Sequence, residues 1–169
     1  MDTYLAVVSK REVRSYADRR LDEAVVRRIL EAGRITGSSQ NRQPWTFVLL
    51  ENETAAQAAR AVYAPDNLLG AAFVVAIVTR GRGRTQFDAG RAAQNMMLAA
   101  WNDGVGSCPN GAADPQALGD LLRLGADEEV AIVVSFGYPA RGRDPESRSA
   151  EEWLARADRR PLTELVRRA

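Results

Sequence analysis

Four stretches of the chain hold side chains able to do binding chemistry. In KREVRSY, residues 10–16, Lys10, Arg11 and Arg14 place three cations within five residues. Arginine presents a planar fork of donors that suits a phosphate or a ring carbonyl oxygen. A solvated charged turn would read the same way. In GSSQNRQPWTFVLL, residues 37–50, Ser38, Ser39, Asn41 and Gln43 offer hydroxyl and amide groups that can meet the edge of a heteroaromatic ring. Pro44 and Trp45 follow, then an apolar run; an ordinary surface turn is the alternative. In GSCPNG, residues 106–111, two glycines permit close backbone approach and Asn110 adds an amide. Arg159 and Arg160 precede Pro161, but arginine pairs recur throughout this chain.

What is missing narrows the chemistry further. There is no histidine, which excludes a Ser-His-Asp triad, a Cys-His pair and a histidine-ligated metal. Cys108 is the single cysteine, so neither an intrachain disulfide nor a cysteine-cluster zinc site can form. An enzyme built from these residues would rely on a bound organic cofactor. The formal net charge of +1 gives no general attraction to nucleic acid or membrane. No apolar run has spanning length and the N-terminus lacks a signal-peptide pattern, so a cytoplasmic location is expected. At 169 residues, one domain is expected.

The elements that must position these groups follow from periodicity. Residues 3–8 suggest a short amphipathic helix. Asp22 stands ready to cap a helix whose stripe is Val25, Val26, Ile29, Leu30 and Gly33. Strands are expected over 46–51, 72–79 and 130–139, the last two apolar on both faces as in a central strand. Helices are expected over 53–63, 87–103 and 115–123, the third announced by Asp114 and Pro115. RGRGR at 80–84 reads as a loop, and DGVGSCPNG at 103–111 as a Gly-rich turn. The segment 140–150 reads as a polar linker before helix-like AEEWLARA. Mixed helices and strands without a repeat mean an α+β or α/β domain in which helices cover a small sheet. The last thirty residues are too polar for a core of their own and need a surface to lie on.

In order, KREVRSY, GSSQNRQPWTFVLL, DAGRAAQNMMLAAWNDGVGSCPNG, GYP and RRPLTELV resemble the nitroreductase family of flavin enzymes over about residues 3–167. The resemblance implies an α+β sandwich, with a central, mostly antiparallel sheet flanked by helices, in an intertwined homodimer. It implies one nitroreductase-like domain over 1–169 whose C-terminal extension, about 140–169, packs on the partner subunit. FMN would lie at the subunit interface, with NADH or NADPH as electron donor and a small-molecule oxidant such as a nitroaromatic or quinone. Carried over, the basic turn Lys10, Arg11 and Arg14 grips the phosphate and pyrimidine end. Ser38, Ser39 and Asn41 reach the flavin of the other subunit. Pro109, Asn110 and Gly111 lie by the ring near N5. Arg159 or Arg160 closes on the phosphate, and Asn67 is a candidate ring contact.

The chain departs from the family pattern in three places. Glu12 stands where a serine is usual, which implies pairing with Arg11 or Arg14. Gly37 replaces a proline and would loosen the polar loop. The segment before Asp88 leaves little room for a helical lid. Two other readings are kept beside the FMN oxidoreductase. One is a specialised flavin or deazaflavin dehydrogenase or dehalogenase of the same fold. The other is a flavin-binding protein with little turnover.

Overall fold

The structure, a computed structural model, describes residues 1–81 and 85–168. In chain order the elements are α1 (Thr3–Ser9), α2 (Glu23–Arg34), β1 (Trp45–Leu50), α3 (Asn52–Ala59), α4 (Asp66–Leu69), β2 (Phe73–Arg80), α5 (Thr85–Asn102), β3 (Gly106–Asn110), α6 (Pro115–Leu122), β4 (Glu128–Gly137), α7 (Ala150–Ala155) and α8 (Leu162–Leu165). They fall into two compact units, residues 11–143 and residues 1–10 with 144–168.

In the larger unit the strands form one sheet in the order β1-β2-β4-β3, antiparallel at every step. The expected mostly antiparallel sheet is present. Side chains alternate across a strand, so β2 and β4 feed two cores. Val75, Ile77, Val134 and Phe136 face Ile29 of α2 and Ala89, Ala93, Met96 and Ala100 of α5. Val74, Ala76 and Val133 face Ala58 and Ala59 of α3, Leu68 of α4 and Leu118 of α6. Burial on both faces explains why these strands read as unbroken apolar runs. Asp114 caps α6, accepting the Ala117 N–H at 2.9 Å, with Pro115 in the first turn. Asp22 occupies the N-cap position of α2 without a side-chain cap bond.

The structure corrects the expected elements in three places. The helix expected over 53–63 stops at Ala59, because Val62 leaves it to bridge Ala112. A further turn of helix, α4, follows. The Gly-rich turn at 103–111 contains strand β3, whose one neighbour in the sheet order is β4. As an edge strand it tolerates Pro109, which has no N–H to donate, and it lacks the alternating apolar pattern that marks a strand. Residues 82–84 of the RGRGR loop lie outside the described residues.

In the smaller unit, α1 is capped by Asp2, which accepts the Leu5 N–H at 3.0 Å. Its contacts are with α7 and the 3-10 turn Pro145–Ser147. Ser149 and Glu152 form a capping box on α7. The Trp153 indole donates to Pro145 O at 2.8 Å, and Arg148 stacks on its ring. No helix among the described residues is long and apolar enough to cross a membrane.

Candidate functional site

The basic turn is fastened to the sheet through its backbone. Val13 N–H donates to Ser107 O at 3.0 Å, Ala17 N–H to Tyr138 O at 2.8 Å, and Ala140 N–H to Ser15 O at 3.0 Å. Glu12 bridges Ser107, and Tyr16 bridges Pro139. The segment therefore lies along β3 and the exit of β4. Two glycines make that approach possible. A Cβ on Gly106 would come within 2.6 Å of Val13, and one on Gly137 within 2.8 Å of the Tyr16 ring.

Beneath the turn runs a chain of polar contacts. The Tyr16 hydroxyl lies 2.7 Å from Val13 O, to which it donates, and 2.9 Å from Ser135 Oγ. Burial pushes the Tyr16 phenol above its ordinary range, against the Ser135 hydrogen bond, which lowers it. The Asn110 amide donates to Cys108 O at 2.9 Å and Ser135 Oγ at 3.3 Å, and its oxygen accepts from Asn67 at 2.8 Å. Asn67 also points its amide at Cys108 Sγ, 3.6 Å away. The candidates Asn67 and Asn110 thus meet each other inside the protein. Their side chains are turned inward, where they tie the end of β3 to Ser135 of β4 and to α4.

A cleft of about 380 Å³ opens beside the basic turn, lined by Glu12, Arg14, Ser15, Pro139, Arg141 and Arg143. Arg14, Arg141 and Arg143 are exposed and make no ion pair among the described residues. Three unpaired guanidinium groups around a cleft make a donor set that fits a phosphate. Arg141 and Arg143 were hidden in the sequence by the many arginines around them. Tyr16 and Ser135 were hidden because their partnership spans 119 residues. Arg11 lies half-buried in the same turn.

The polar loop sits elsewhere on the sheet. Gln40, Asn41 and Gln43 all have positive φ, at 52°, 55° and 48°. Ser38 holds the turn closed, its Oγ accepting the Gln43 N–H at 2.8 Å. Asn41 is exposed, as is Ser39, which helps to line a cleft of about 610 Å³ with Arg42, Trp45, Arg80, Asp88 and Glu128. Arg80 N–H donates to Pro44 O at 2.9 Å, tying the loop to the end of β2. The Gly125 N–H, then Arg80, hold the Glu128 carboxyl below its usual range. The Gly37 carbonyl accepts from Arg91 at 2.7 Å, so this glycine is tethered where a looser loop was expected.

Strand pairing fixes how far apart these clusters are. Trp45, at the loop, pairs with Thr79, and Arg80 with Glu128 at the start of β4. Gly106, at the basic turn, pairs with Gly137 at the far end of β4, on the opposite edge of the sheet. The nine steps from Glu128 to Gly137 span about 30 Å at roughly 3.3 Å per residue. The polar loop and the basic turn therefore occupy opposite corners. Lys10, Arg159 and Arg160 belong to the smaller unit. Lys10 closes α1, its N–H donating to Ala6 O at 3.1 Å. Arg159 donates to Ala157 O at 2.8 Å, and Arg160 is exposed.

Comparison with known proteins matches the nitroreductase family over residues 7–64 and 53–138, most of the chain. The chain belongs to the nitroreductase family. A relative from Archaeoglobus fulgidus with the provisional name NADH dehydrogenase/NAD(P)H nitroreductase is 26% identical over 149 residues, spanning 82% of this chain and 86% of its own. A solved structure from Desulfovibrio desulfuricans, provisionally named a nitroreductase and in complex with FMN, superposes with a TM-score of 0.82. It is 26% identical, covering all of this chain and 98% of that one. A nitroreductase family protein from Clostridium difficile 630 gives a TM-score of 0.83 at 21% identity, covering 99% and 98%. With this likeness the nitroreductase fold of the family member is established.

Proposed function

We propose that this protein is an FMN-dependent NAD(P)H oxidoreductase that passes hydride to nitroaromatic, quinone or similar small acceptors. The carrying observation is the pair of binding clusters at opposite corners of one sheet. A single mononucleotide cannot touch both within one chain. A second copy resolves this by bringing the loop of one subunit to the basic turn of the other, so each cofactor would be shared across a homodimer. Family membership and the FMN complex of the Desulfovibrio relative support the same reading. The C-terminal extension, with Leu154, Leu162, Leu165 and Val166 exposed, supplies apolar side chains that a partner subunit would cover within the single nitroreductase-like domain.

FMN, when bound, supplies the hydride chemistry at N5. The chain's own work is to hold and orient. Arg14, with Arg11 and Lys10, would hold the phosphate and the pyrimidine end, and Arg141 and Arg143 line the same cleft as Arg14. Ser38, Ser39 and Asn41 would present hydrogen-bonding groups from the partner's loop. The Pro109–Gly111 backbone would face the ring; Arg159 or Arg160 would close on the phosphate. No side chain has to move a proton, in keeping with a chain that lacks histidine.

Chromatography of the pigment released on denaturation, with anaerobic addition of NADH or NADPH to the purified protein, tests the proposal. The expected result is FMN, with a flavin band that bleaches on reduction and recovers with a quinone or nitroaromatic. FAD, or no uptake of excess FMN, would overturn it. Bound flavin that never bleaches would favour a binding protein with little turnover.

A further inference from the structure

Helix α5 opens with a polar face that the cofactor assignment leaves without a task. Asp88, Arg91 and Asn95 stand at i, i+3 and i+7, which places them on one side of the helix. Asp88 is only 5% exposed. Its Oδ2 accepts the Ser39 N–H at 3.1 Å, and its Oδ1 lies 3.8 Å from Arg91 Nη1. Arg91 in turn donates to Gly37 O at 2.7 Å. Asn95 donates to Thr36 Oγ1 at 2.8 Å, and Thr36 donates back to Ala32 O at 3.1 Å. Contacts at residues 36, 37 and 39 thus hold the entry of the loop from one helix face.

The loop needs such support. Positive φ at Gln40 and Gln43 is sparsely populated by residues with a Cβ and persists where the surroundings hold it, while Asn41 adopts it more readily. A carboxylate in the first turn of a helix is also favoured by the helix dipole. We infer that Asp88, assisted by Arg91, is a positioning residue: it accepts the Ser39 amide and so holds the Ser38–Asn41 hydrogen-bonding groups in the geometry that receives the partner's flavin. The flavin part of this inference rests on the proposed function; the bracing of the loop does not.

Amide hydrogen exchange on the full-length protein reads the brace directly, and FMN titration reads its consequence. Asp88→Ala removes the acceptor, whereas Asp88→Asn keeps an oxygen there without the charge. In Asp88→Ala, exchange at residues 38–43 should quicken by about tenfold, the equivalent of one lost hydrogen bond, while β2 and β4 stay protected. FMN should bind about tenfold more weakly, and the bound flavin's visible circular dichroism should change. Asp88→Asn should restore most of each. Unchanged exchange at 38–43 in Asp88→Ala would overturn the inference. So would equal loosening of β2 and β4 in both variants, which would mark Asp88 as ordinary packing. If Asp88→Ala does not fold, Arg91→Ala, on a half-exposed side chain, must show the same localised loosening. Wild-type protein that takes up no FMN would sink the functional reading, while the exchange comparison still decides the brace.

Discussion

Arg14 and Arg27 carry the same charge in different settings. Arg14 lines the cleft beside the basic turn, while Arg27 is exposed on α2. A charge-assisted contact to a bound phosphate is worth about 1.5–3 kcal/mol, so Arg14→Ala should weaken FMN binding roughly ten- to hundredfold. Arg27→Ala should stay within about threefold. Equal dissociation constants in fluorescence titration would mean that the turn does not grip the cofactor. Arg19 is a poor control, because its guanidinium stacks on Tyr138 at 3.9 Å. Tyr16 makes a different prediction. Its phenol is raised above the ordinary value, chiefly by burial, so the folded state keeps a proton that the unfolded state releases near pH 10. Its contribution to stability is whole below that pH and is lost as pH rises further. Denaturant titrations should show wild type losing more stability between pH 9 and pH 11 than Tyr16→Phe, which itself should cost about 1–2 kcal/mol at neutral pH. Parallel pH curves would rule this out. Arg14 stood out in the sequence because three cations cluster locally, and the structure places it on the cleft beside the turn, whereas Lys10 falls in the smaller unit. Ser135 did not stand out, because a serine inside an apolar strand shows nothing until Tyr16 is folded over it.

The turn and the sheet meet through elements whose sequences reveal little of the contact. Strands β2 and β4 were readable because burial on both faces forces apolar runs. Strand β3 was not, since Gly106 and Pro109 serve the turn packed on it and the tight edge rather than the apolar alternation of a strand. Gly137 shows what that packing demands. Its missing Cβ is replaced by the Tyr16 ring, whose Cδ1, Cγ and Cβ would all lie within 3.0 Å of an added methyl. The ring is also held by its hydroxyl, so it cannot simply swing away. Gly137→Ala should therefore lower stability by about 1–3 kcal/mol, as overpacking does. It should also lift the basic turn and weaken FMN binding. Gly119→Ala on α6, where nothing lies within 4 Å of the added carbon, provides the matched control. A Gly137→Ala protein that melts and binds like wild type would show that the turn is held more loosely than its contacts indicate.

At the scale of the whole molecule, the sheet order puts the two candidate clusters in opposition, and no local reading of either motif could have placed them at opposite corners. That separation depends on β1 and β3 both ending the sheet order, with the loop entering β1 at one end and the basic turn lying along β3 at the other. A shared site makes a quantitative demand on mixed dimers. Arg14→Ala damages the turn, and a Ser39→Ala, Asn41→Ala double variant damages the loop; neither homodimer should hold FMN well. In a mixed dimer, one site would take its intact turn from one chain and its intact loop from the other, while the second site would carry both lesions. Random reassortment yields about half mixed dimers, each with one sound site, so about a quarter of all sites should recover native affinity. Co-expression with two affinity tags isolates the mixed species, and its flavin content should approach one per dimer. Flavin no higher than in the parent variants would show that each site is built from a single chain, and the shared-site reading would fall.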